Sequence, residues 1–196
     1  MMQAQEIASI GQGIAEKYRK VAACPEGLFR YPTGEGSARG LGYPPDLLDS
    51  VPRVVRERFV GVGNPFALGP IHAGEAVLDL GCGAGFDAFV AAQLVGPTGW
   101  VVGIDMSPEM IAVAEAGLKV AHFLNLEFRL AQVEDLPFPD ESFDVALSNG
   151  VLNLVPDKPK ALGEIFRVLR PGGRLQDCDI GLVGDRVPPD KAQWSD

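Results

Sequence analysis

Val77-Leu78-Asp79-Leu80-Gly81-Cys82-Gly83-Ala84-Gly85-Phe86 runs from a short β-rich stretch through a glycine turn into the start of a helical pattern. A second β-rich run, Val101-Val102-Gly103-Ile104-Asp105, follows and closes on an acid. That pairing is the layout of a nucleoside-binding α/β domain, in which an acid about 20 residues beyond the glycines holds the ribose. Glycines let backbone N–H groups approach a ligand without a Cβ in the way, and a carboxylate at the end of the next strand can accept hydrogen bonds from both ribose hydroxyls. Asp79, just before the first glycine, and Asp87, just after the last, bear on which nucleoside is meant. A pyrophosphate needs the N–H groups and the positive helix end unopposed, and two carboxylates repel it. A ligand with an ammonium and a sulfonium at one end, and ribose and adenine at the other, suits them better. S-adenosylmethionine has that combination.

Outward from this turn the pattern is regular. Strands over 76–80, 100–104, 126–130, 143–148 and 174–180 alternate with helices over 85–95, 108–119 and 158–169, which predicts a parallel sheet with helices on its faces. The expected fold is α/β, a Rossmann-like doubly wound and mostly parallel sheet. Ser107-Pro108 offers an N-cap followed by proline at the first helical position, so a helix starts directly after Asp105. The last helix draws its apolar stripe from Leu162, Ile165, Phe166 and Leu169, and Pro171-Gly172-Gly173 is expected to end it. Ahead of the sheet, Ile7, Ile10, Ile14, Tyr18 and Val21 share one face of a helix over 5–22 that stops at Cys24-Pro25. The glycine- and proline-rich stretch Pro25–Pro45 reads as an irregular loop, and Asp46–Phe59 as one short helix. Phe29, Tyr31 and Tyr43 either close over a ligand or pin that loop to the core. The organisation expected is a helical and loop segment over 1–60, a candidate lid, followed by a ligand-binding domain over 61–196.

Composition sets outer bounds. A chain of 196 residues with 46% hydrophobic and 22% charged content is long enough for one well-cored domain and is not disordered. Its net charge of −9 disfavours nucleic acid or an anionic membrane surface as a partner. No stretch reaches the roughly 20 apolar residues of a membrane span, so a soluble, cytoplasmic protein is expected. Cys24, Cys82 and Cys178 are odd in number and widely spaced, which suggests neither a disulfide framework nor a metal site.

Four ordered motifs carry a family resemblance: DLGCGAG at 79–85, GIDMSPEM at 103–110, VEDLPFPDESFDV at 133–145 and RVLRPGGRL at 167–175. With them the chain from Val77 to Ile180 resembles class I S-adenosylmethionine-dependent methyltransferases. GVGNPFALG at 61–69, VGPTG at 95–99 and SNGVLNLVPDKPKAL at 148–162 make it most similar to arsenite methyltransferase-like proteins. The resemblance implies S-adenosylmethionine as cofactor. It places Gly81 and Gly83 along the methionine part, Asp79 at the ammonium, Asp105 at the ribose, Met106 over adenine and Gln132 with Val133 at the adenine edge. It sets Asn149 facing the reacting centre.

The chain departs from that family at two places. Where arsenite methyltransferases are expected to carry arsenic-binding cysteines, this chain has Val62 and Gly150, which cannot ligate a soft metalloid. After the fifth strand only Gly181 to Asp196 follow, although Asp185–Pro189 and Trp194 resemble the start of the family's next segment. The C-terminal antiparallel strands are therefore expected to be missing, with the sheet edge exposed, covered by the amino-terminal segment, or shared in a homodimer. The expected activity is methyl transfer to a small-molecule acceptor, without nucleic acid, membrane or metal. Displacement at an activated sulfonium needs no obligatory base, and no catalytic dyad is apparent. The alternatives are a non-catalytic S-adenosylmethionine-binding module of the same fold and, behind it, a nucleotide-dependent oxidoreductase.

Overall fold

The computed structural model describes residues 4–181, and a five-stranded parallel sheet organises them. Its strands are β1 (Ala76–Leu80), β2 (Trp100–Asp105), β3 (Leu126–Leu130), β4 (Phe143–Asn149) and β5 (Leu169–Cys178). They lie in the order β3-β2-β1-β4-β5. The chain winds from β1 through β2 to β3 on one side and returns to β4 and β5 on the other, so the order reverses between β1 and β4. In open α/β sheets the crevice at such a reversal, outside the carboxyl ends of the strands, is where ligands bind. Register places Asp79 between Gly103 and Leu147, and Leu80 between Ile104 and Ser148. Both acids of the opening motif therefore stand at that end of the sheet.

Side-chain alternation splits the core between the two faces. Val77, Val101, Val145 and Leu147 pack on one side with Phe86 and Phe89 of α5 (Phe86–Val95) and Ala114 of α6 (Pro108–Ala121). Leu78, Leu80, Val102, Ile104 and Ala146 pack on the other with Ile165 and Val168 of α7 (Lys158–Val168). Ser107 caps α6 as its sequence indicates, with Oγ accepting from Met110 N at 3.3 Å. The first helix, α1 (Ala4–Ala23), packs against α6 and buries Ile14 and Val21. The side chains of Ile7 and Ile10 lie outside those described.

Several sequence expectations are corrected. Pro25–Pro45 is not wholly irregular, since Gly34–Gly40 forms α2. The expected single helix over 46–59 is two, α3 (Pro45–Ser50) and α4 (Arg53–Arg56), because Pro52 forces Val51 out of the helical region. Ala38, Tyr43, Leu48, Val55 and Phe59 join the core on the α5 face. Tyr43 thus pins its loop: it is 3% exposed, edge-on to Phe59, Phe66 and Phe86.

The stripe of α7 is rotated from its expected position. Ala161, Ile165 and Val168 are buried, whereas Leu162 is 48% and Phe166 82% exposed. Pro171-Gly172-Gly173 does not terminate α7, which already ends at Val168; it forms a bulge inside β5. Pairing steps from Phe143↔Leu169 to Val145↔Arg174, so Arg170 to Gly173 stand against Asp144 alone. A Cβ on Gly173 would meet Arg170 O at 2.9 Å, so glycine is what lets the bulge close. Beyond the bulge, Arg174 makes a two-pronged bond to Glu75, Nη1 to Oε1 at 2.7 Å and Nη2 to Oε2 at 3.0 Å, tying β5 to the lead-in of β1. Asp185–Pro189 and Trp194, and with them the question of terminal antiparallel strands, lie outside the described residues. Among the described residues no helix is long and apolar enough to cross a membrane.

Candidate functional site

A cavity of about 480 Å³ opens at the carboxyl ends of β1, β2 and β4, within the size range of small-molecule sites. Asp79, Gly81, Gly83, Asp105, Met106, Gln132, Val133 and Asn149, the eight residues singled out from sequence, all line it. The glycine turn makes this convergence sterically feasible. Gly81, Gly83 and Gly85 have φ of 57°, 53° and 90°, the left-handed region where a Cβ is strained. A Cβ on Gly81 would also meet Val151 Cγ2 at 2.6 Å, and one on Gly85 would meet the Phe128 ring at 2.6 Å.

Asp105 fixes the turn. Its Oδ2 accepts from Gly83 N and its Oδ1 from Ser107 N, both at 2.8 Å. Each carboxylate oxygen keeps a further lone pair, so both can still accept from a vicinal diol. Met106, next in the chain, is 39% exposed and lines the cavity with its flexible thioether. On the far side Gln132 accepts from Asp135 N at 3.1 Å through its backbone, and Val133 is 7% exposed.

The opposite pole is acidic and buried. Asp79 is 2% exposed, and its Oδ2 has no hydrogen-bond partner. Burial, then the neighbouring Asp87 charge, push its carboxyl well above the usual range. Asp87 is 6% exposed; its Oδ1 accepts from Tyr43 Oη at 2.6 Å and its Oδ2 from Asn149 Nδ2 at 2.9 Å. Burial raises Asp87 to about 6, those two donors opposing the rise. Asp105 is raised as well, by burial against the lowering effect of its backbone donors. Cys82 is half-buried, and desolvation together with Asp79 and Asp105 pushes its thiol far up, so it stays protonated.

Asn149 does more than face the cavity. Its Oδ1 accepts from Val62 N at 2.8 Å and Gly63 N at 3.1 Å, while Nδ2 donates to Gly63 O at 3.0 Å as well as to Asp87. The side chain that sequence placed at the reacting centre thus clamps the Gly61–Asn64 turn onto the end of β4. Sequence reasoning missed the partners of this knot: Tyr43, and Asp87 as more than a repulsive charge. Within the 1–60 segment expected as a candidate lid, α1 contributes to the cavity wall, with Gly11, Ile14, Ala15 and Tyr18 in the lining. The helical face of α1 was legible, but nothing in its spacing says what that face covers.

Beside the main cavity lies a smaller one of about 40 Å³, lined by Tyr18, Phe29, Tyr31, Val62, Gly150 and Leu154 among others. Val62 and Gly150, the positions where the family resemblance implies cysteines, face each other there, since a Cβ on Gly150 would stand 3.5 Å from both Val62 methyls. Cys24, Cys82 and Cys178 are free thiols, and among the described residues no group of His, Cys, Asp and Glu could hold a metal ion.

The chain is similar to known proteins. A family model described as a methyltransferase domain matches residues 71–195. An arsenite methyltransferase of Halobacterium salinarum is 48% identical over 145 residues, covering 74% of this chain and 37% of that protein. A demethylmenaquinone methyltransferase of Lactococcus lactis is 44% identical, over 52% of this chain and 40% of that protein. A crystal structure of an arsenic(III) S-adenosylmethionine methyltransferase from Chlamydomonas reinhardtii superposes with a TM-score of 0.57 at 36% identity, covering 76% of this chain and 50% of that one. The chain thus spans half or less of the length of each of these relatives.

Proposed function

From the premise that this chain belongs to the methyltransferase-domain family, we propose that it binds S-adenosylmethionine in the 480 Å³ cavity and transfers its methyl group to a small-molecule acceptor. The observation that carries this reading is Asp79 Oδ2, a buried carboxylate oxygen without a partner. An isolated buried carboxylate is costly, and a second one beside it compounds the cost. An ammonium group placed between Asp79 and Asp87 removes both penalties, and a bound pyrophosphate would add to them. At the other pole the free lone pairs of Asp105 suit the two ribose hydroxyls, and Met106, Gln132 and Val133 surround the adenine position.

When bound, the cofactor supplies a methyl group already activated on a sulfonium. The protein's contribution is then binding, orientation and exclusion of water. Asp79 and Asp105 hold the two ends, Gly81 and Gly83 let the backbone approach between them, and α1 covers the space against solvent. The methyl-transfer unit is residues 61–196, with residues 1–60 supplying cover and part of the wall. Relatives named for arsenite and for demethylmenaquinone share this domain, so family membership leaves the acceptor open. With Val62 and Gly150 facing each other the smaller cavity offers no thiolate pair, which favours an acceptor other than a trivalent metalloid.

Calorimetric titration with S-adenosylmethionine and S-adenosylhomocysteine tests the reading. Binding by the wild type that is lost in Asp105→Ala supports it. A folded wild type that binds neither compound overturns it.

A further inference from the structure

We propose that Asn149 is a positioning residue that transmits occupancy of the Asp79 and Asp87 carboxylates to the Gly61–Asn64 turn, so that a bound ligand's ammonium group orders one wall of the cavity. The inference rests on the cofactor reading above and adds to it a link between the ammonium pole and a segment distant from it in sequence.

The amide of Asn149 is saturated. Both acceptor positions of Oδ1 are taken by Val62 N and Gly63 N, and the two Nδ2 hydrogens are shared among Asp87 Oδ2, Gly63 O and Tyr43 Oη at 2.9, 3.0 and 3.2 Å. It cannot turn toward Asp87 or away from it without loosening the turn. The turn in turn fits only because glycine stands at its head: a Cβ on Gly61 would meet Asn149 Nδ2 at 2.5 Å and the Phe59 ring at 2.6 Å. Tyr43 closes the loop, its hydroxyl bridging Asp87 Oδ1 at 2.6 Å and Gly63 O at 3.2 Å.

The input end of this link is built for a cation. Asp79 is 2% exposed, with Oδ2 unpartnered, and lines the cavity beside Asp87. At about pH 5, below the value of about 6 to which burial raises Asp87, a cation there drives off the proton and leaves Asp87 fully ionised. Hydrogen bonds to an ionised acceptor are shorter and stronger than to a neutral one, and polarisation passes along an amide whose other face is bonded to the turn. Val62 and Gly63 N–H groups are therefore held more tightly when the ammonium is present.

Site-resolved amide hydrogen exchange of Val62 and Gly63 reads this directly at about pH 5, in the full chain with and without saturating S-adenosylhomocysteine, which carries the same amino-acid end. The expected result is slowing by about tenfold or more at both amides. In Asp87→Asn the bonds from Asn149 to the turn stay in place, so exchange without ligand matches the wild type and the ligand response is lost. Asn149→Ala, or Asn149→Ser should that variant fail to fold by circular dichroism, exchanges fast in both states. Calorimetric binding without slowing at Val62 and Gly63 overturns the inference and leaves the cofactor reading standing, as does an undiminished response in ligand-saturated Asp87→Asn. A folded wild type that gives no binding heat overturns both.

Discussion

The backbone N–H of Gly83 donates to Asp105 Oδ2 across 2.8 Å, so the tip of the turn after β1 and the last residue of β2 are held by one carboxylate. Asp105→Ala removes that bond, the one from Ser107 N and the proposed ribose contacts together. The dissociation constant for S-adenosylhomocysteine is expected to rise by at least about 30-fold, as follows from losing more than one hydrogen bond to a charged group. Calorimetry gives the affinity, and a thermal melt confirms that the variant is folded.

The acidic pole predicts a pH dependence of known sign. The folded-state value of Asp87 is raised from 3.8 to about 6, so its stabilising contribution is fully present below 3.8 and is lost as pH rises through 6. Asp79, also raised, extends the loss to higher pH. Glu75 and Asp144 are lowered by their arginine and backbone partners, so their contribution is present at neutral pH and is lost in acid. Glu75 and Asp144 act alike in wild type and in Asp87→Asn, so the difference between the two reports Asp87 together with its push on Asp79. Urea unfolding from pH 4 to 8 should show the variant gaining on the wild type as pH rises, by about 3 kcal/mol across the window. Ligand affinity should rise over the same window in the wild type, and the titration should release protons.

Arg174→Ala should destabilise the fold by about 1–2 kcal/mol, since the two-pronged bond is part-buried and Arg174 also donates to Pro70 O at 2.5 Å. Urea denaturation measures the loss. An effect below about 0.3 kcal/mol would place the pair with ordinary surface ion pairs.

Gly85→Ala should cost about 3 kcal/mol, from a φ of 90° and from overlap of the new methyl with Phe128 and with Ala114 Cβ. Equilibrium unfolding would show it, alongside weakened ligand binding because the turn and the start of α5 move together.

The rotated face of α7 separates two hydrophobic neighbours. Ile165→Ala is expected to lose about 3 kcal/mol and Phe166→Ser less than about 0.5 kcal/mol, because Ile165 is 2% exposed and Phe166 82%. Chemical denaturation of the pair decides which residue faces the sheet.

What the sequence made legible follows one physical rule. Strand-ending acids and left-handed glycines are specified by local chemistry, so Asp79, Asp105 and the glycines could be placed at one end of the sheet from their order alone. Tyr43, Asp87 and Asn149 are brought together over separations of 44 and 62 residues, and no periodicity encodes that. The error on α7 has a different origin. Leu162 and Phe166 are large and apolar, so they dominate any count of hydrophobic spacing, whereas the face that packs uses Ala161 and Val168, whose small size suits close approach of helix to sheet. The split of α3 from α4 was signalled by Pro52, which restricts the residue before it.

The wall that α1 lends to the cavity has a consequence for biosynthesis. Its partner α6 begins at Pro108, so translation must add roughly 90 further residues before α1 has a surface to dock on. At the pace of protein synthesis that is a wait of roughly 5–20 s, during which α1 lacks the tertiary packing that supplies most of a helix's stability. The buried Ile14 and Val21 are then exposed on a nascent segment with no core to enter. The part of the site made early is thereby among the last to be assembled.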